Sequence, residues 1–198
     1  MPTIAPAIAI ADTRRWLERA VIGLNLCPFA KGPHVKGLIH CAVYEGDALD
    51  GLAAALRAEL QALAAADPAQ RETTLLVAPR VLHDFLDFND FLDQADTVLT
   101  ELGLEGELQI APFHPQFQFA GTAVDDITNA TNRAPYPTLH LIREASIDRA
   151  VEAFPEAETI YEANMAVLRR LGPEGWAALG VGRTPAGASG APAEEASA

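Results

Sequence analysis

The chain has few basic residues for its length. Its 198 residues include 14 Lys and Arg against 27 Asp and Glu, which gives a formal net charge of −13. Nucleic-acid binding depends mainly on the neutralisation of phosphates by Lys and Arg. The chain contains no run of basic residues, and its negative charge also disfavours anionic membranes. We therefore expect neither a nucleic acid nor a membrane as a partner.

Cysteine and long apolar runs are also scarce. The only cysteines are Cys27 and Cys41, and such sparse use predicts a reducing compartment rather than a disulfide scaffold. No apolar run reaches the roughly 18 residues that a membrane span requires. The apolar N-terminal stretch has no basic region before it and is interrupted by prolines, unlike a signal peptide. These features together predict a cytoplasmic protein.

Several familiar catalytic patterns are missing. The sequence has no glycine-rich phosphate loop, no G-x-S-x-G elbow and no H-E-x-x-H pair, which weakens the nucleotide-binding, hydrolase and zinc-protease interpretations. Aspartates recur every third residue from Asp84 to Asp96. That spacing drifts around a helix of 3.6 residues per turn, so it indicates a solvated helix surface rather than a metal site. The sequence thus identifies neither a metal nor a cofactor.

Helical and strand patterns alternate along the chain. Hydrophobic periodicity and breaking residues predict helices at about 12–25, 47–66, 89–102, 146–153 and 156–171, and strands at about 37–44, 73–78, 106–112 and 138–143. This order favours an α/β fold with a mixed, largely parallel four-stranded sheet and packed helices. A ferredoxin-like α+β sandwich is the alternative.

Length and composition indicate one domain. Hydrophobic residues make up 49% of the chain, as in globular proteins, and the length suits a single core. We predict a flexible N-terminus at 1–11 and a single α/β domain at 12–182. The tail at 183–198 consists mainly of Ala, Gly, Ser, Pro and Glu and is predicted to be disordered.

Three segments resemble a known family when they are taken together. They are LNLCPFAK at 24–31, PFHPQFQFAG at 112–121 and NRAPYPTLHLIRE at 132–144. The combination resembles an uncharacterised domain-of-unknown-function family of bacteria that also occurs in plants. Family members usually carry serine after the Asn-Arg pair, where this chain has Ala134, so a hydroxyl cannot be indispensable there. The resemblance implies no activity.

The polar stretch from His114 to Arg143 is the strongest candidate for a site. His114 follows the third predicted strand, and ligands of open α/β sheets collect beyond the carboxyl ends of parallel strands. A histidine there can act as acid, base or metal ligand, or it can simply bond backbone carbonyls. Arg133 lies in a loop stiffened by prolines and presents a planar fork suited to carboxylate or phosphate. Its alternative partners are Asp125 and Asp126.

The fourth strand adds a second histidine. Strict alternation places Thr138, His140 and Ile142 on one face of the sheet, and Leu139, Leu141 and Arg143 on the other. His140 belongs to a site only if its face borders the crevice, since a strand histidine is usually a bonded core residue. Arg143, at the strand end, could reach the same crevice because alternation weakens there.

Cys27 precedes Pro28 and Phe29, as in the Cys-Pro-aromatic turn of glutaredoxins. That motif places the thiol before a helix, whose N-terminus lowers its pKa. Here the predicted helix comes first, and position 30 is alanine rather than a second cysteine, so we reject a redox motif. A buried structural thiol and a nucleophile or ligand beside a histidine remain as interpretations. Nearby, His34 stands between Lys31 and Lys36, a small cationic cluster that could assist an anionic ligand.

Three hypotheses follow for the function. The leading one is an enzyme for a small anionic metabolite. Its catalytic residues would be His114 as acid/base, His140 and Cys27, and its ligand-binding residues would be Asn132, Arg133 and Arg143. The second is a non-enzymatic ligand-binding or regulatory module that uses the same loops. The third is a metal-binding protein with Cys27, His114 and His140 as ligands.

Overall fold

The computed structural model describes residues 4–153 and 159–185. Its helices are α1 (Pro6–Trp16), a π-helix that continues α1 (Leu17–Ile22), α2 (Lys31–Val35), α3 (Leu49–Ala65), α4 (Phe85–Glu101), a 3₁₀ helix (Ile127–Asn132), α5 (Glu144–Ala153) and α6 (Ile160–Ala178). Its strands are β1 (Ile39–Val43), β2 (Thr73–Val77), β3 (Leu108–Phe113) and β4 (Thr138–Arg143).

The four strands form one mixed sheet in the order β1-β2-β4-β3. β1 and β2 are parallel, and β4 lies antiparallel to both of its neighbours. Three strands therefore run in one direction, and the predicted four-stranded mixed α/β fold is confirmed. The chain order β-α-β-α-β-β differs from the β-α-β-β-α-β order of the ferredoxin-like alternative.

One face of the sheet carries the main hydrophobic core. Four leucines recur every three or four residues along α3 and are fully buried: Leu52, Leu56, Leu60 and Leu63. They pack with aromatic and aliphatic side chains of α4, among them Phe88 and Phe91, and with Leu139 and Leu141 of β4. The four leucines form an apolar stripe along one side of α3, and this stripe packs against one face of the sheet.

The opposite face packs against the first helical segment. Trp16, Leu17, Ala20 and Val21 form a second buried cluster with Leu75 of β2. His140 and Ile142 border a cavity on this side, whereas Leu139 and Leu141 lie in the main core. The predicted alternation of β4 is therefore confirmed.

Several predicted boundaries are wrong. The first helix begins at Pro6 instead of residue 12, because proline suits the first turn of a helix. α4 begins at Phe85 because the Asp84 carboxylate caps the N–H groups of Leu86 and Asp87. A short helix, α2, lies between the first helical segment and β1, where the sequence predicted neither a helix nor a strand.

The C-terminal helix is also longer than predicted. α6 continues to Ala178 through a kink at Gly172, whose φ of 67° falls in the left-handed region that suits glycine. Residues 1–3 of the predicted flexible N-terminus and residues 186–198 of the predicted tail lie outside the described residues. Within the described ranges, no helix is long and apolar enough to cross a membrane.

Candidate functional site

His114 is completely buried, with its ring centroid 5.5 Å from that of Phe85 and 5.1 Å from that of Phe88. Its Nδ1 accepts the backbone N–H of Gln116 at 3.0 Å. The ring proton must then reside on Nε2, which donates to the carbonyl of Leu82 at 2.9 Å. Burial lowers the pKa of His114. Both ring nitrogens therefore hold backbone groups, and a neutral ring is favoured.

The partner of His114 is a residue with strained backbone geometry. Leu82 has a φ of 56°, and the left-handed region costs a non-glycine residue roughly 1–2 kcal/mol. Its carbonyl points to the His114 ring, and its side chain is buried. His114 thus fixes the turn between β2 and α4, which explains why a histidine directly after β3 is buried rather than open to a crevice.

Arg133 holds the loop that follows His114. Its Nε donates to the carbonyl of Phe117 at 3.2 Å, and its Nη2 donates to the carbonyl of Val124 at 2.6 Å. Within the described part of the chain it forms no ion pair with Asp125 or Asp126. Burial lowers the pKa of the guanidinium. Its donors are directed at the loop itself.

Asn132 and Arg143 are also engaged by backbone groups. The Nδ2 of Asn132 donates to the carbonyl of Pro112 at 3.1 Å. Arg143 is buried on the α3 side of the sheet, where its Nη2 donates to the carbonyls of Leu63 and Ala66 at 2.5 and 2.7 Å. A cation at the carboxyl end of α3 is a favourable placement. Arg143 therefore lies on the face opposite to His140.

On the His140 side of the sheet lies an apolar cavity of about 260 Å³. It lies between the sheet, the π-helix, the segment around Cys27 and α5, and both Cys27 and His140 line it. His114, Asn132, Arg133 and Arg143 do not line it. Its apolar walls include Trp16, Leu17, Val21, Phe29, Leu75 and Phe113. The cavity thus brings together two of the six predicted site residues, whereas the backbone N–H of His114 bonds the carbonyl of Asn132 away from it.

One wall of the cavity is an unusual helix. In the π-helix Leu17–Ile22 the N–H of Gly23 bonds the carbonyl of Glu18, five residues earlier, at 2.9 Å. π-helices are rare and are frequently found at functional sites. Leu17 and Val21 of this turn line the cavity. The helix therefore widens where it covers the sheet.

His140 is held from one side only. Its Nε2 lies 2.7 Å from Oγ1 of Thr73, and that hydroxyl donates its proton to the carbonyl of Leu141 at 2.6 Å. The Thr73 oxygen must accept from His140, so Nε2 carries the ring proton and Nδ1 keeps a lone pair. No described residue forms a hydrogen bond with Nδ1. Burial lowers the pKa of His140 to about 4, so the ring is neutral at pH 7.

Both thiols are protonated near neutral pH. Burial raises the pKa of Cys27, outweighing hydrogen bonds from the backbone of Phe29 and Ala30. Burial also raises the pKa of Cys41 to about 11. The thiolate is the reactive form of cysteine. Cys27 and His140 therefore border one cavity as two neutral groups.

Thr73, the polar partner of His140, was not predicted from the sequence. It begins β2, in the otherwise apolar run TTLLV. β2 pairs with β4 so that Leu75 is opposite His140 and Thr73 is opposite Ile142. A threonine at the start of a buried strand is a weak signal in a single sequence, because threonine has high strand propensity anyway.

The metal-binding hypothesis has no support among the described residues. They contain no group of three or more His, Cys, Asp or Glu side chains that could hold a metal ion. The trio Cys27, His114 and His140 fails because His114 is buried against α4 with both ring nitrogens bonded.

Acidification is expected to destabilise the protein through His140. An unfolded histidine binds a proton near pH 6.5, whereas His140 in the folded chain does so near pH 4. Between these values the unfolded state holds more protons, so the free energy of unfolding falls as the pH is lowered, by about 3 kcal/mol in all. Urea titrations of the wild type and His140→Gln at several pH values measure the difference. Buried His114 lowers the stability on acidification in both proteins, so the additional loss of stability in the wild type is the contribution of His140. Equal losses in the two proteins would contradict the assignment of this pH dependence to His140.

The comparisons with known proteins agree with the sequence resemblance. A family model described as "Protein of unknown function (DUF1415)" matches residues 8–178. No curated protein and no solved structure matches the chain significantly. Because the family match spans most of the 198 residues, the chain belongs to the DUF1415 family.

Proposed function

We propose that the protein is a binding module for a small, largely apolar molecule that occupies the cavity beside His140. The observation that carries the proposal is the lone pair on Nδ1 of His140, which forms no hydrogen bond with a described residue and belongs to a side chain lining a mainly apolar cavity. The ligand would present one N–H or O–H group to that atom. Thr73 fixes the tautomer that makes Nδ1 the acceptor.

The size and chemistry of the cavity support this class of ligand. Small-molecule sites are mostly apolar, have a few placed polar groups and occupy roughly 300–1,000 Å³, so about 260 Å³ suits a small ligand. The rings of Trp16 and Phe113 meet in a T-shaped arrangement with their centroids 5.2 Å apart. These rings offer flat apolar surfaces. A hydrogen bond from a ligand donor to Nδ1 would contribute roughly 0.5–1.5 kcal/mol to binding.

The catalytic hypothesis for His114, His140 and Cys27 receives less support from the geometry. Both ring nitrogens of His114 are hydrogen-bonded to backbone groups. The low pKa of His140 and the raised pKa of Cys27 make the pair a poor base and a poor nucleophile near pH 7. Binding without turnover is therefore the function that the cavity supports best.

Two uncharged probes test the role of His140. N-phenyl-1-naphthylamine is aromatic, carries one N–H and fluoresces in apolar surroundings; 1-phenylnaphthalene has a similar outline without the N–H. We expect the wild type to bind the amine, followed by fluorescence titration, about tenfold more tightly, the value of one good hydrogen bond. His140→Leu should remove that preference while retaining binding. An equal preference in wild type and variant would refute the role of Nδ1.

A filled cavity provides the second test. Ala30 lines the cavity, so Ala30→Phe is expected to occupy part of it and to weaken both probes. Ala120 is exposed and outside the cavity, so Ala120→Phe is the matched control with the same gain in volume. If the two variants bind the amine equally well, the probe lies elsewhere and the proposed site is wrong.

A further inference from the structure

A smaller pocket lies directly beside the cavity. Its volume is about 40 Å³, and it shares three apolar wall residues with the cavity, namely Leu17, Ile39 and Leu75. The remaining walls differ in chemistry, because they include Arg14 and His34. An apolar space and a space with a cationic wall therefore adjoin across the same three side chains.

Arg14 is an uncommitted cation. It is exposed, and among the described residues it has no hydrogen-bond or ion-pair partner for its guanidinium. Its neighbour Arg15, by contrast, pairs with Asp12 at 2.6 Å. The charge of Arg14 acts on the pocket, since it opposes the burial that raises the pKa of Cys41, another wall residue. In a chain with 27 acidic residues, a guanidinium without a carboxylate at a pocket wall is available to a ligand.

His34 is less available than Arg14. Its Nε2 lies 3.5 Å from Oε1 of Glu18, a carboxylate that already faces it. Glu18 would also repel an anion placed at His34. The ligand's charged group is therefore assigned to Arg14, whose planar fork can donate two parallel hydrogen bonds to a carboxylate.

We propose that the ligand is an amphiphilic anion, with an apolar body in the cavity and a carboxylate that extends past Leu17, Ile39 and Leu75 to Arg14. This inference rests on the proposed function and adds the charge and its position. A hydroxyl or N–H group at the far end of the body would serve His140. The class is that of an acid with a hydrocarbon body and one distal donor. The site therefore binds an anion through Arg14, a different cation from the Arg133 and Arg143 of the sequence hypothesis.

Matched ligands test the position of the charge. ω-Hydroxy fatty acids of graded chain length and their methyl esters differ only in the anionic group, and each can compete with N-phenyl-1-naphthylamine for the cavity. We expect Arg14→Gln to weaken the best-fitting acid about fivefold, the upper range for a solvent-accessible ion pair, and to leave its ester unchanged. Added salt should reduce the wild-type affinity for the acid but not for the ester. Arg170→Gln, an exposed change of the same charge on α6, should alter neither.

The two thiols report where each ligand lies. Cys27 lines the cavity and Cys41 lines the smaller pocket, so alkylation by N-ethylmaleimide can be followed at each by mass spectrometry. The acid should slow alkylation at both thiols, and the Arg14→Gln change should abolish the protection at Cys41 only. The amine probe should protect Cys27 only.

The possible failures are distinguishable. If the amine probe binds but neither acids nor esters displace it, or if Arg14→Gln weakens acid and ester equally, the anionic assignment is overturned and the proposed cavity function stands. If the amine probe itself does not bind the wild type, both proposals fall.

Discussion

Replacing Asp12 with alanine is expected to lower the free energy of unfolding by about 4 kcal/mol, because removal of one partner from a buried charged network leaves the others unpaired. Asp12 is fully buried. Its Oδ1 accepts from Arg15 at 2.6 Å and from the Thr184 hydroxyl at 2.5 Å, and its Oδ2 accepts from the Tyr136 hydroxyl at 2.7 Å and the Thr184 N–H at 2.8 Å. The carboxylate therefore ties α1 both to the segment before β4 and to residues after α6.

Urea denaturation followed by circular dichroism measures this loss. Asp96 is exposed on α4, so Asp96→Ala is the control and should change stability by no more than about 0.5 kcal/mol. Asp12→Asn keeps the shape but lacks the charge and should lose less than Asp12→Ala. Similar losses for Asp12→Ala and Asp96→Ala would show that the network contributes little.

The same carboxylate has its own pH signature. Burial acts to raise the pKa of Asp12, but the hydrogen bonds from Thr184, Tyr136 and Arg15 outweigh it, and the net pKa is lowered. A lowered pKa gives stability that is present above the unfolded value of about 3.9 and is lost as the pH falls further. The pH range in which Asp12 contributes to acid unfolding therefore lies below the pH range of His140.

His114→Ala is the second variant with a large expected effect, again about 4 kcal/mol. It removes a fully buried ring, comparable to a large-to-small aromatic replacement at roughly 3–5 kcal/mol. It also strips the Leu82 carbonyl and the Gln116 N–H of their partners. A histidine that served as an exposed acid/base could be truncated at little cost, so stability separates the two roles.

The matched control for His114 is His40→Ala, an exposed histidine of β1, which should cost no more than about 0.5 kcal/mol. Urea titration at neutral pH gives both values. His114→Gln, which can still donate a hydrogen bond, should retain more stability and bind N-phenyl-1-naphthylamine like the wild type, since His114 does not line the cavity. Loss of probe binding in this folded variant would instead return His114 to the site.

The sequence predicted local patterns well and distant contacts poorly. β4 has the predicted bounds, and His140 is on the predicted face, because alternation depends only on neighbouring residues. The partner of His114 is a carbonyl 32 residues earlier, and no local pattern encodes that contact. The same holds for Arg143, whose carbonyl partners in and after α3 lie 72 to 80 residues away.

The alternation of side chains along β4 explains why His140 and Arg143 do not share one site. β4 inserts antiparallel between β2 and β3, and His140 points to the face opposite Arg143. Two residues three apart on a strand point to opposite faces. A crevice shared by His140 and Arg143 would have required the alternation to fail at the strand end, and it does not.

The π-helix also bears on how the cavity can diverge among relatives. A π-turn holds one residue more than an α-turn, so it accommodates a one-codon insertion while the helix on either side keeps its register. Loss of that codon would restore α-helical bonding over Leu17–Ile22 and reshape the wall beside His140. The Asp12 side chain lies in the preceding α1 and would keep its orientation. The shape of the cavity can therefore change by a single insertion or deletion without loss of the fold.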